Sequence, residues 1–300
     1  MRIIRPVQVT DSVLSSSNVP ENDYAEWASG TTYNIGDKVI VLSVHKIYES
    51  LVGSNTGNDP TTDGGTNWLD LGATNRWKAF DGSITDQSSN LNTITYSFLP
   101  QSLTNSIAFF NLSAAEIEVT VTDPVDGVVY DRTIPLVDNG AVSSWWSFFF
   151  EPIIRKSEVA LFDLPNYASA TIDVTITASA GENAKVGQIV FGNQKSLGVT
   201  VYNTGIGIQD YSTKETNAFG NVVVTERRFA QLVDYEVQVQ TSNVRDVQKT
   251  LATYRATPLV YSGTEDGAYG DLVYGYYRSF GINISTPSIS DATIEVEGLV

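Results

Sequence analysis

The chain has 300 residues, no cysteine, a single histidine and a formal net charge of −16 at neutral pH. Without cysteine there are no disulfides and no thiolate metal sites, and one histidine leaves zinc-hydrolase, Ser-His-Asp and Cys-His machinery short of parts. The acidic balance argues against gripping nucleic acid through its phosphates and against adhesion to an anionic membrane, while low charge density with abundant Thr, Ser, Val, Gly and Asn points to a β-rich, turn-rich chain of two or three domains.

In chain order, Arg2 to Val9 alternates like a strand, and polar residues continue as far as Asp23. Residues 1–23 read as an N-terminal arm and linker, expected to pack on another domain or another subunit. Residues 24–72 read as a small three-stranded module. Gly36-Asp37 is the tight turn before a strand over Lys38–Val44, Ile47–Val52 is the returning strand, and Trp68 opens a short closing strand. Gly53–Gly65 between them is a surface loop rich in Gly, Asn, Asp, Ser and Thr. His45, between two apolar runs, is expected as a strand residue facing solvent or a neighbour. The link at 71–82 has no Pro- or Ser-rich tether, so the module should sit rigidly on the next domain.

Residues 73–197 carry about eight short alternating segments, the pattern of an antiparallel jelly-roll sandwich. They include Ile94–Leu99, Ser106–Leu112, Ile117–Thr122, Val128–Leu136, Ser157–Leu161, Ala170–Ala178 and Val186–Phe191, with a turn at Asp123–Gly127 making one hairpin. The dense aromatic block Trp145–Phe150 reads first as sandwich core, and otherwise as a surface for stacking sugars.

Residues 198–300 read as an α+β unit of antiparallel strands with one helix. Gly198–Gly207 is an extended, glycine-punctuated arm. Strands are expected over Val222–Phe229, Leu232–Val239, Leu259–Tyr261, Leu272–Ile284 and Ile294–Leu299. The helix spans Ser242–Ala256, with Asn243 as its cap, Val244, Val247, Leu251 and Tyr254 on its apolar face, and Pro258 stopping it. Ser262–Gly270 is an acidic loop. The fold class expected overall is mainly β: module, jelly-roll sandwich and C-terminal α+β domain.

Three groups of residues carry family resemblances. Trp27, Tyr33 and Trp68, with Gly36-Asp37, Asn55, Gly57-Asn58-Asp59-Pro60 and Leu71, resemble the small carbohydrate-binding modules of the family 5/12 type appended to polysaccharide hydrolases. The resemblance implies that Trp27, Tyr33 and Trp68 are candidate carbohydrate-binding residues, the alternative being that the three rings form the module's core. Asn75, Trp77, Phe80 and Asp81 resemble the opening of galactose-binding-like β-sandwiches, and Gly187–Gly192 resembles their last strand. In some such domains the opening supplies a calcium site, but a structural clamp is the favoured reading, and no metal is assigned. The C-terminal string from Glu226-Arg227-Arg228-Phe229 through Leu251–Tyr261 and Leu272–Phe280 to Ile294–Leu299 resembles the C-terminal part of minor tail proteins of long-tailed bacteriophages. There it comes after a carbohydrate-binding module and a β-sandwich in this same order.

The tail-protein resemblance implies a distal-tail or tail-tip virion component, released by lysis, with other virion tail proteins as partners and a host surface glycan as a further one. Two extended segments that no local hairpin consumes suggest a homo-oligomer built by strand sharing. No cofactor is expected. Neither nucleic acid nor membrane insertion is expected, and no secretory signal is visible. A catalytic role is not expected: Asp81, Asp86, Glu151 and Asp163 are the acids nearest to a glycosidase-type pair, and they scatter among strand ends and loops. The competing reading is a cellular chitin- or polysaccharide-binding accessory protein without catalysis.

Overall fold

The computed structural model describes residues 1–138, 145–150, 154–216, 219–264 and 270–299, the side chains of 147 and 148 excepted. The protein is mainly β, as its composition and alternation predict. Its largest element is a 10-stranded antiparallel sheet. From one edge this sheet runs through Val159–Leu161, Ser106–Phe110, Gln188–Ser196, Arg2–Pro6, Leu259–Ser262, Leu272–Asn283, Ile289–Gly298 and Phe229–Gln240. Two short strands, Val199–Thr200 and Gly205–Asp210, share the outer edge of Phe229–Gln240.

Period-2 alternation decides which side chains meet across each layer. One face of the long sheet carries Ile107, Phe109, Ile189 and Phe191 in its first half. These pack on a five-stranded sheet formed by Gly127–Pro135, Glu116–Asp123, Thr171–Thr177, Thr93–Phe98 and Leu14–Ser17. Phe98, Phe109 and Phe191 are 0% exposed, and each such ring contributes roughly 1.5–3 kcal/mol by leaving water. In the second half of the sheet the same face carries Ile3, Tyr235, Val237, Tyr261 and Val273. There it is covered by the helix Val244–Thr253 through Val247 and Leu251.

The opposite face holds Ile4, Ala108, Val190, Val260 and Tyr274. The rings of Phe110 and Tyr274 lie 5.8 Å apart although three strands separate their own. Strands spaced about 4.8 Å apart would put them about 19 Å apart in a flat sheet. The sheet therefore curls strongly towards this face and closes an apolar cluster inside the curl.

Several sequence expectations meet this architecture differently. The N-terminal segment packs on other domains, one of the two expected outcomes, and does so within its own chain. Arg2–Pro6 lies inside its own sheet, between Gln188–Ser196 and Leu259–Ser262. Its two edges are paired, its two faces put Ile3 and Ile4 into different cores, and Leu14–Ser17 is consumed by the second sheet. A Cβ on Gly192 would lie 1.9 Å from the Arg5 carbonyl oxygen, so only glycine admits the first strand there. Gly198–Gly207 likewise pairs within the chain, against Phe229–Gln240. The long sheet crosses residue 197 without a break, so the sandwich and the C-terminal unit share one sheet.

The C-terminal helix is present but shorter than its periodicity suggests, and Asn243 makes no side-chain cap. A turn of 3-10 helix, Thr241–Asn243, feeds the helix directly and leaves Asn243 in a helical conformation, unlike an N-cap. The block Trp145–Phe150 is a six-residue helix rather than core. Trp145, Trp146, Phe149 and Phe150 are 65–80% exposed. Residues 265–269 of the expected acidic loop lie outside the described residues.

Candidate glycan-binding face

The module of residues 24–72 is built as its turns predict. Lys38–Val41, Lys46–Ser50 and Trp68–Ala73 form a three-stranded sheet, and Thr32–Tyr33 pairs with Asn55–Thr56 beside it. Gly36 has φ +86°, the left-handed value that the turn into the first strand requires. So small a unit has little core to share, and Tyr33, Val39, Tyr48 and Trp68 supply it.

Two of the three candidate rings are therefore spent inside. Trp68 is 1% exposed and Tyr33 is 8% exposed. They meet edge to face at 5.2 Å. The Trp68 indole N–H donates to the Asn58 carbonyl at 2.9 Å, and the Tyr33 hydroxyl accepts from the Ala28 amide at 2.9 Å. A sugar stacks on a ring face, and neither ring offers one. Trp27 differs: it is half-buried and packs on the rim of this cluster, fixed by backbone bonding of its segment to Ile40.

The module also carries an exposed ring not singled out from the sequence. Tyr24 is 42% exposed, and the Lys38 ammonium lies 5.8 Å from its ring centre. The only sequence signal for Tyr24 is its place three residues before Trp27 at the module's entry.

The long loop 53–67 is polar yet ordered, because its side chains bond its own backbone. Asp63 accepts from the amides of Asn67 and Trp68 and from the Asn67 side chain. Partial burial pushes the Asp63 carboxyl up, but these donors outweigh it and hold the group below the ordinary range. Asn55, 1% exposed, donates to Ser50 and accepts from Asn58. The Asn55 and Gly57–Pro60 motif is thus the loop's internal brace.

The module is locked onto the sandwich by a knot of polar groups around Glu21. His45 is not a strand residue: it ends the turn between two strands at φ 54°. Its ring stacks on Trp77 at 3.9 Å, with Nδ1 at 2.8 Å from Glu21 and Nε2 at 2.9 Å from Asp11. In the doubly protonated ring both N–H groups donate to these carboxylates. Glu21 also accepts from Thr74 at 2.8 Å and faces Arg76 at 3.6 Å. Asn75 brackets Ser89, donating to its carbonyl and accepting from its amide, each at 2.8 Å. Trp77 thus joins module and sandwich, while the Asn75 side chain and Phe80 brace the sandwich end on which it sits.

Of the acids considered for catalysis, Asp81 and Asp86 share one turn, while Asp163 is engaged elsewhere. Asp81 accepts from the Ser83 amide, and Ser83 in turn reaches Asp86, in one solvent-facing turn. The Asp81 residue is exposed, yet its carboxyl is partly enclosed, and this desolvation, with Asp86 adding, pushes its pKa up to about 6. Asp163 is taken by the Tyr130 hydroxyl at 2.9 Å and Arg132 at 3.0 Å on the sandwich surface. Glu151 lies outside the described residues. Among the described residues no cluster of three His, Cys, Asp or Glu is placed to hold a metal, and no helix is long and apolar enough to cross a membrane.

A separate cavity of about 340 Å³ opens inside the curl, lined by Phe110, Glu158, Arg228, Gln231 and Tyr274 among others. Burial, with Asp271 adding, pushes Glu158 up to about 7. Comparison of the chain with protein-family models, curated proteins and solved structures gave no match.

Proposed function

We propose that the chain is a non-catalytic structural component of a bacteriophage tail, placed at its distal end, and that the small module contributes to attachment to host-surface polysaccharide. The order module, sandwich, C-terminal unit supports the tail reading. The observation that carries the attachment reading is the module's mounting. Tyr24 and Trp27 sit on a unit braced by the Glu21–His45–Trp77 knot, so a ring that meets a sugar does so without losing orientational freedom. Aromatic faces bury the C–H faces of sugar rings, and such contacts are individually weak. Many copies on one particle would raise the avidity.

The test is retention of the purified chain on host cell envelopes and on polysaccharide resins. Wild type binds, Trp27→Ala and Tyr24→Ala each weaken binding several-fold, and folding is unchanged by circular dichroism. Equal binding by wild type and both variants overturns the attachment reading. Antibody labelling of intact particles tests the other half: label at the tail end supports the virion assignment. Absence from particles, with sugar binding retained, shifts the reading to a polysaccharide-binding accessory protein.

A further inference from the structure

Among the described residues of 205–229, Ile206, Ile208, Phe219, Val222–Val224 and Phe229 leave their side chains exposed. Gly205–Asp210 pairs with the Phe229–Asp234 end of the last long strand, and Thr213–Thr216 pairs with Val222–Thr225 beyond it. The two pairings run on as one ribbon, because the Tyr211 amide donates to the Arg228 carbonyl and the Arg227 amide to the Ser212 hydroxyl. Every residue of Gly205–Asp210 and of Val222–Thr225 is exposed. Val222, Val223 and Val224 are 63, 54 and 58% exposed. Consecutive strand residues point to opposite sides, so both faces of the ribbon present valine to solvent. A two-stranded ribbon without a packed face is marginal in water, and an apolar edge strand is a ready pairing site.

The same chain carries a surface suited to receive it. Ile206 is in register with Val233 and so lies on the face that the C-terminal helix covers further along. Beyond the helix that face runs into an open cavity of about 490 Å³ lined by Thr200, Val201, Tyr202, Ile206, Gly263 and Asp271. Tyr202 stands fully exposed at its rim. The ribbon does not reach its own cavity. The cavity lies at the Gly205–Asp234 end of the pairing, whereas Val222–Thr225 continues from the Asp210–Phe229 end. The strand Gly205–Asp210 alone puts roughly 17 Å between those ends, and the ribbon points away.

The cavity that the arm cannot reach on its own chain is presented by every other copy, and charge permits a second copy as the occupant. Two chains of net charge −16 repel, so self-contact needs a neutral surface. Residues 205–229 provide one, with Asp210, Glu215 and Glu226 balanced by Lys214, Arg227 and Arg228.

We propose that this ribbon is an intersubunit arm whose Val222–Val224 strand docks in the Tyr202–Ile206 cavity of a second copy of this chain. Donor and acceptor are different surfaces, so the contact is head-to-tail, and its rotation decides whether repetition closes a ring or extends a filament. The proposal deepens the structural half of the proposed function, and its readout is association of the purified chain, independent of sugar binding.

The experiment is sedimentation velocity across a concentration series. Wild type associates. Val223→Asp on the arm and Tyr202→Asp at the cavity rim each reduce it to monomer, both sites being exposed and so tolerant of charge. Mixing the two variants restores a dimer, because one keeps an intact cavity and the other an intact arm. Since the chain has no cysteine, a Val223→Cys, Thr204→Cys double variant should also form intermolecular disulfides between 223 and 204. A wild type that stays monomeric up to its solubility limit overturns the proposal. So does a mixture of variants that stays monomeric, or cross-linking only between two copies of 223.

Discussion

Two aromatic clusters in this chain differ in what surrounds them. Trp27, Tyr33 and Trp68 are scattered through a polar, glycine-rich module and read either as a binding platform or as the module's core, and Tyr33 and Trp68 are core. Trp145–Phe150 is dense and uninterrupted and reads as core, yet four of its rings face solvent. Local density therefore says little about burial. A ring is buried when strands of the right register bring partners to it. Tyr33 and Trp68 each have a paired strand and a hydrogen-bond partner for the polar atom. The six-residue helix is too short to present one face to a core while hiding four large rings.

Substitutions put this contrast to the test. Trp68→Ala should cost about 3–5 kcal/mol and unfold the module, read as loss of its part of the thermal transition. If the module survives intact, its core is elsewhere. The same reasoning extends to carboxylates. Asp63 is surrounded by donors, whereas Glu158 is enclosed and feels the charge of Asp271. The Glu158 pKa is raised above its unfolded value, so the folded state prefers the proton. Stability tied to this group is present at low pH and is lost as pH rises from the ordinary carboxylate range through about 7. Glu158→Gln should therefore raise stability by on the order of 2 kcal/mol at about pH 8 and leave it nearly unchanged at about pH 4. A gain that is the same at both values would mean that desolvation of the charge is not the cause.

The mount comes next. His45→Ala removes the ring on Trp77 and one partner of Glu21, and should cost about 1–2 kcal/mol. It should also raise amide exchange at residues 42–46 and 74–77, while exchange within the five-stranded sheet stays unchanged. The smallest effect is expected at the exposed helix. Trp146→Ser with Phe150→Ser should change stability by less than about 0.5 kcal/mol and improve solubility. A loss of several kcal/mol there would place those rings against a partner surface and erase the contrast with the module.

Much of the fold is readable from alternation and punctuation. The hairpin of Glu116–Asp123 and Gly127–Pro135 comes from I-E-V-T-V-T, Asp123 accepting from the amides of Val125 and Asp126, and Gly127 at φ 78°. The C-terminal helix is visible through Val247 and Leu251. The candidate face is less readable. Trp27 stands out in the sequence, but Tyr24 does not, because its surroundings depend on Lys38, fourteen residues away. The Glu21 knot is beyond sequence reading altogether. It joins Asp11, Glu21, His45, Thr74 and Arg76, which share no periodicity.

Residue types and short spacings are enough to settle that the protein is mainly β, where most of its strands and turns fall, that it lacks thiol chemistry, and that it carries a large negative charge. They act through local backbone preference and side-chain alternation, which need no knowledge of distant partners. Which strands became neighbours is a matter of long-range packing. It placed Arg2–Pro6 in the middle of one curled sheet, turned Tyr33 and Trp68 inward, and left Trp145, Trp146, Phe149, Phe150 and the strands Gly205–Asp210 and Val222–Thr225 exposed. These outcomes rest on contacts between residues tens to hundreds of positions apart, where the area buried by one pairing against another, rather than local propensity, selects the arrangement.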